Sequence, residues 1–293
     1  MSTPLFIIGN PRSGTSMFRL MLTCHPLIEV APESGFMLWW YDKYSSCTPL
    51  YQNANEESIN SFLKDLFSSK KIEFWNLDRS LLKASILSNK PKSYAELVSL
   101  IYKQYATQQG KSTLKYWGDK NNYYIKHIDQ LIQLYPNAQF LHLVRDGRDV
   151  ATSYLNMSKI KSDSMYAPNL PKDIESIATE WNDNNTLASK SLETLPSNRW
   201  HLVRYEDLVT KPQSTLTSVC DALQLEYHHS MLEFHHANLK KNLEPKDFMA
   251  WKAKTFKKID TKSIGKYKTE LKSTEIEQFE KTAYSSLKKY AYL

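Results

Sequence analysis

Cysteine is the first scarcity. Cys24, Cys47 and Cys220 are the only three in 293 residues; they cannot all pair within the chain and show no metal-ligand spacing. A reducing, cytoplasmic setting is expected from that. Glycine is also sparse, at 7 residues, and with 41% hydrophobic and 12% aromatic residues the composition is globular, not fibrous or disordered. No apolar run approaches the roughly 18–20 residues that span a bilayer, so no transmembrane segment is expected. The opening MSTPLFIIGN has neither a basic stretch nor an apolar core followed by a small-residue cleavage site, which argues against a secretory leader. Metal-ligand spacing is missing too. The dense histidines, His228–His229 and His235–His236, have no acidic or cysteine partners at regular intervals, so no metal is expected.

What is present is a chain long enough to bury a substantial core and a positive charge that sits in one place. The net charge is +7, and between Lys252 and Lys272 eight lysines face only Asp260 and Glu270. The rest is nearly neutral, with 30 basic residues against 29 acidic. Such a patch fits a solvated loop, a nucleic acid or anionic lipid surface, or a small polyanion.

Pro4 to Gly9 is a short apolar run that predicts a buried strand, and Ser16 to Cys24 carries Phe18, Met21 and Leu22 at helical spacing. Leu27–Val30 predicts a second short strand. Residues 50–110 have helical periodicity and no glycine until Gly110, so a helical insertion is expected over about 43–116. A helix over Tyr123–Tyr135, a strand over Gln139–Val144, a turn at 145–149 and a helix from Val150 to about Met157 follow. A polar loop with Pro168 and Pro171 leads to a helix near 173–194, a strand over Trp200–Tyr205, a helix over about Pro212–Leu223 and a C-terminal helix over Thr274–Tyr290. Alternating strands and helices predict an α/β fold, a central parallel sheet flanked by helices, with helical insertions, in a single domain over 1–293.

The turn Gly9-Asn10-Pro11-Arg12-Ser13-Gly14-Thr15-Ser16 lies between the first strand and the first helix, where free N–H groups and the helix dipole favour an anion. Its G-x-x-x-x-G spacing fits a Walker loop, but Thr15 stands where the lysine belongs, which weakens any hold on ATP phosphates. Pro11–Ser16 resembles the 5′-phosphosulfate loop of sulfotransferases that use 3′-phosphoadenosine 5′-phosphosulfate (PAPS). The continuation Arg19–Leu22 and His25–Pro26 is similar to the bacterial and tyrosylprotein branches. Arg145, with Ser153 eight residues later, resembles that family's 3′-phosphate motif, in which an arginine fork and a hydroxyl meet the phosphate. Arg204–Leu208 resembles its Tyr-Glu-Asp segment, and Ser263–Lys268 its late glycine-basic segment, with Tyr267 in place of the usual tryptophan.

The resemblance implies a P-loop-like fold and a definite set of site residues. Arg12, Ser13, Gly14, Thr15 and Ser16 would hold the 5′ end of PAPS; Arg145, Ser153, Tyr205, Ser263, Gly265 and Lys266 would hold the rest of the nucleotide. Glu33, bracketed by Pro32 and Gly35, falls on the family's catalytic glutamate and would be the base, with dipole pairing at a helix start as its alternative. Lys120 would neutralise charge on the bridging oxygen, a role Arg12 could share. The implied reaction moves a sulfuryl group from PAPS to a hydroxyl or amine on a glycan, phenol or tyrosine, lipid or small alcohol, releasing PAP and requiring no metal or nucleic acid. Phe36, Trp39, Trp40, Tyr41 and Tyr44 are better assigned to core than to a ring-stacking pocket. Two rivals predict different chemistry: a P-loop phosphotransferase needs Mg²⁺ and a Walker lysine, and a polyanion-binding protein needs only the lysine patch.

Overall fold

Short apolar segments separated by long polar and helical ones can bury both faces only in a sheet covered on each side. The computed structural model, which describes residues 2–52, 55–160 and 164–293, has that arrangement. Strand β1 (Thr3–Ile8) leads through a tight loop into helix α1 (Thr15–Thr23), which returns to β2 (Ile28–Ala31). After short helical turns, three longer helices follow: α2 (Glu56–Ser68), α3 (Arg79–Asn89) and α4 (Tyr94–Gln108). Each begins where a side chain satisfies free first-turn amides: Asn55 accepts from Glu57 and Ser58, Asp78 from Ser80 and Leu81, and Ser93 from Glu96. The chain then enters β3 (Tyr116–Lys120), β4 (Gln139–Val144) and α5 (Gly147–Met157). Helix α6 (Ile174–Leu192), β5 (Trp200–Arg204), α7 (Pro212–Ala222), α8 (Phe234–Lys241), α9 (Ser273–Thr282) and α10 (Tyr284–Lys289) complete the frame.

The five strands are parallel in the order β2-β3-β1-β4-β5, with Ile7 beside Lys120 on β3 and Ile8 beside His142 on β4. Alternation along β1 divides the core. Phe6 and Ile8 pack with the α2–α4 side, whereas Leu5 and Ile7 pack with α1 and α7. A chain of rings ties the helical insertion to the sheet, Tyr102 stacking on Trp117 at 4.5 Å and meeting Trp75 at 5.0 Å. The connection from β1 runs toward β2 and the one from β4 toward β5, so the sheet's switch point lies at the carboxyl ends of β1 and β4. Ligands of open α/β sheets bind there.

The α/β expectation holds, but β3 is a strand the sequence pattern hides. Its Gly118, Asp119 and Lys120 break the apolar signature, yet all five of its residues are buried. Residues expected as the last of the insertion therefore give way to β3 at Tyr116. The expected helix over Tyr123–Tyr135 is a 3-10 turn (Asn122–Lys126) followed by an α-helix over Ile128–Leu134. The expected C-terminal helix breaks at Ala283, and α5 starts at Gly147, three residues before Val150. Residues 53–54 of the insertion and 161–163 of the polar loop lie outside the described residues.

Gly118 shows how closely β1 and β3 approach: a Cβ there would lie 2.7 Å from the Leu5 carbonyl oxygen. Because the obstacle is backbone in the sheet centre, Gly118→Ala should cost about 1–3 kcal/mol. Urea unfolding should show a lower midpoint with an unchanged slope.

Candidate active site

At the switch point the chain turns sharply after β1. Arg12 takes a left-handed backbone (φ 67) and Gly14 another (φ 94), a conformation natural for glycine and costly for arginine. A Cβ on Gly14 would lie 2.6 Å from the ring of Tyr205, so that ring lies directly over the loop. Helix α1 has no side-chain cap and no acid in its first turn, leaving its amino end electropositive. Ser13 is fully buried with an unpartnered hydroxyl.

The loop after β4 meets this turn directly. Arg145 Nη1 donates to the Arg12 carbonyl (3.0 Å) and Nη2 to the Ser263 carbonyl (2.7 Å), while its Nε has no partner. Its guanidinium lies 4.7 Å from the centre of the Tyr205 ring. Arg12 Nε donates to Ser153 Oγ (3.1 Å) and Nη1 to the Trp251 carbonyl (2.8 Å). Burial, with repulsion from Arg145 behind it, lowers Arg12 to about 10. Asp149 fastens the late segment by accepting from the amides of Gly265 (2.8 Å) and Tyr267 (3.1 Å). The patch beginning at Lys252 thus folds over the arginines.

The other end of the cleft is a carboxylate among lysines. Glu33 follows β2, and Lys120, the last residue of β3, contacts its Oε1. Lys71 Nζ lies 2.7 Å from Oε2, and Lys252 Nζ lies 3.6 Å from Oε1. Burial alone would raise Glu33; Lys120, then Lys252 and Lys71, overcome it and hold the carboxyl well below its usual range. Burial lowers Lys120 to about 8, with Glu33 opposing and Lys252 adding repulsion. Lys252 also pairs with Glu244 (2.6 Å), which pairs with the buried Arg19 (2.9 Å). Next to Lys120, Asp119 accepts from Tyr102 and Tyr124; burial pushes it up to about 7 despite those bonds.

A single cleft of about 540 Å³ joins both ends. Arg12, Gly14, Thr15, Ser16, Glu33, Lys120, Arg145, Ser153, Tyr205, Ser263 and Lys266 all line it, and Ser13 and Gly265 sit in the turns just described. Arg12 contacts Ser153 and Trp251 at the arginine end of the cleft, away from Lys120 and Glu33. Lys71, Asp149, Trp251, Lys252 and Lys254 line the cleft without having been selected from the sequence. Asp149 lies between Arg145 and Ser153 of the 3′-phosphate motif; Lys71 belongs to no motif. Phe36 and Tyr44 are core as expected, whereas Trp39 is 43% exposed. His142 is buried and lowered to about 4 by that burial, which keeps it neutral. Outside the cleft, ligand atoms of Glu233, His235 and His236 lie within 4.8 Å of one another, a grouping that adds an acid to the histidine pair.

Fold and site together define a P-loop-like α/β protein whose switch-point cleft holds a buried arginine pair at one end and a lysine-bound carboxylate at the other. The Sulfotransferase family profile matches residues 4–229. The chain belongs to that family and is a sulfotransferase. Human protein-tyrosine sulfotransferase 1 is 26% identical over 235 residues, covering 80% of this chain and 54% of that protein. The chain thus spans about half the length of most of the curated relatives it matches. The sulfotransferase domain of the Synechococcus PCC 7002 olefin synthase superposes with a TM-score of 0.60 at 21% identity, over 97% of this chain and 95% of that one. Mouse sulfotransferase SULT7A1 complexed with PAP does so at 0.50 and 12%, over 99% and 88%.

The Arg19–Glu244 pair gives a direct test of the scaffold behind the lysines. Removing the carboxylate strands a guanidinium that is 1% exposed, so Glu244→Ala should cost about 3–5 kcal/mol, read as a lowered urea midpoint.

Proposed function

We propose that the chain transfers the sulfuryl group of PAPS to an acceptor hydroxyl, with Glu33 as the base and without a metal. One observation carries this reading: Arg145 donates to the Arg12 carbonyl, both arginines line the cleft, and among the described residues neither forms a salt bridge, Asp149 accepting instead from the amides of Gly265 and Tyr267. Two cations held in that way need an anion to balance them. Arg145, Ser153 and the turn at Ser263–Lys266 would take the 3′-phosphate; the Arg12–Ser16 loop and the amino end of α1 would take the 5′ end.

The acceptor oxygen attacks sulfur, the bond from sulfur to the bridging oxygen breaks, and that oxygen leaves with the electron pair on PAP. Glu33 receives the acceptor proton. Being ionised at neutral pH, it is always ready to accept, and loss of its charge is offset by the sulfonate's arrival among the lysines. Lys120 faces the charge that grows on the leaving oxygen. The remaining wall, with Met157, Ile160, Tyr166, Leu170 and Trp251, suits an acceptor with a flat apolar body. A phenol, such as the tyrosine named for the human relative, is therefore the acceptor class we favour. A reducing compartment such as the cytoplasm is part of the same proposal, supported by three unpaired cysteines.

Neither rival gains from the structure. Thr15 occupies the Walker lysine position, and its hydroxyl donates to Asn122 (3.3 Å). The lysine patch is not one outward surface, because Lys252 turns inward to Glu33 and Glu244.

PAP in EDTA should raise the melting temperature, and Arg145→Ala should weaken PAP about 100-fold, the loss of two charge-assisted contacts. Unchanged affinity by calorimetry would remove the nucleotide assignment. In a labelled-PAPS assay over a panel of phenols, sugars and alcohols, Glu33→Gln should lower turnover by about 10²–10⁴ while PAP still binds. Near-normal turnover would place the base elsewhere.

A further inference from the structure

The helical insertion touches the base, and it does so through one strained residue. Lys71 lies between α2 and the 3-10 turn Ile72–Trp75, with φ 70 and ψ −2. A non-glycine residue in the left-handed region sits at a disadvantage there, and it persists when surrounding contacts fix it. Those contacts lead to the Glu33 turn. Ser34 Oγ donates to the Lys70 carbonyl (3.1 Å), and Trp75 Nε1 donates to the Pro32 carbonyl (3.0 Å). The two bonds flank Glu33 and dock the insertion on both sides of it. Between them, Lys71 Nζ reaches Glu33 Oε2 at 2.7 Å. Phe248 supports the same geometry, its ring centre 5.5 Å from Lys71 Nζ and 4.8 Å from Lys252 Nζ.

We propose that Lys71 is a positioning residue for the base, by which the insertion that shapes the acceptor end of the cleft also sets the orientation of Glu33. The inference rests on Glu33 being the base. A carboxylate offers about four lone-pair sites. Lys120 and Lys252 both approach Oε1, so that oxygen is committed to them. Among the described residues Oε2 is paired with Lys71, which leaves it a lone pair, and the acceptor proton is received there. Without Lys71, the carboxylate would still be held at Oε1 but free to turn about that contact.

The charged groups facing Glu33 are Lys120 from β3, Lys71 from the insertion and Lys252 from the segment after α8; Glu244 and Asp119 lie behind them. The lysines depress Glu33, which is active as a base only above its own pKa. Loss of one lysine therefore moves the carboxyl upward, and the acid limb of kcat/KM moves to higher pH with it.

Lys71→Gly separates positioning from scaffolding, because glycine accepts the left-handed backbone without the cost. The expected result is an undiminished melting temperature and PAP affinity within about twofold by calorimetry. Carbon-13 labelling of glutamate, with the Glu33 carboxyl assigned by Glu33→Gln, should show its titration midpoint raised. With PAPS and 2-naphthol, the acid limb of kcat/KM should move to higher pH by about one unit, the effect of one close charge. Lys71→Arg should restore both the titration and the profile. An unchanged Glu33 midpoint in Lys71→Gly, or a lowered melting temperature as the only effect, would overturn the inference. Normal turnover by Glu33→Gln would defeat the base assignment instead, and the titration would still report whether Lys71 holds the carboxylate.

Discussion

Positive charge taken out of water without a salt-bridge partner among the described residues is the constraint around which the cleft is arranged. A buried guanidinium is costly unless its donors are met, and Arg12 and Arg145 meet theirs mostly with backbone carbonyls and a serine hydroxyl. Carbonyls satisfy hydrogen bonds but do not neutralise charge. The fold supplies the energy to hold the two together, through a parallel sheet that places the ends of β1 and β4 side by side. The left-handed Arg12 backbone and the ring of Tyr205 belong to the same cost. On the proposed function, a multiply charged anion is what would balance that pair.

The base end obeys the opposite rule. Here the charges are paired, and they form a line that starts inside the protein: Arg19 with Glu244, Glu244 with Lys252, and Glu33 with Lys252, Lys120 and Lys71. Four cations and two carboxylates leave this line with excess positive charge. On the proposed function, a donor sulfonate would restore the balance there. Both ends of the cleft thus carry positive charge in excess, by separate means.

Much of this frame was legible in the sequence, for reasons that are local. β1 and β4 are apolar runs of strand length, and the loops after them carry glycine, arginine and serine in an order that has chemical meaning. Glu33 came from the family resemblance, with Pro32 and Gly35 bracketing it, and it lines the cleft. β3 escaped because a strand that carries Asp119 and Lys120 to a buried site cannot also look apolar. Lys71 escaped for another reason. Its role depends on a turn between two helices meeting the end of β2, a contact 38 residues apart in the chain that no periodicity encodes. The broken C-terminal helix is a smaller case: nothing in Thr274–Tyr290 but its packing stops the first helix at Thr282.

The lysine patch shows how the two kinds of information differ. As a count, Lys252 to Lys272 is one run of positive charge, and the simplest reading is solvent. In the fold it divides. Lys257, Lys258, Lys262, Lys268 and Lys272 face outward, while Lys252 enters the charge line at Glu33 and Glu244 and Lys254 reaches the cleft. Between them, Ser263 and Gly265 are tied to Arg145 and Asp149. One segment thus contacts both ends of the cleft, and its outward lysines raise the local potential toward which a polyanion drifts. Attraction at a distance and balance at contact are then two tasks of the same segment, separated by which lysines the backbone turns inward.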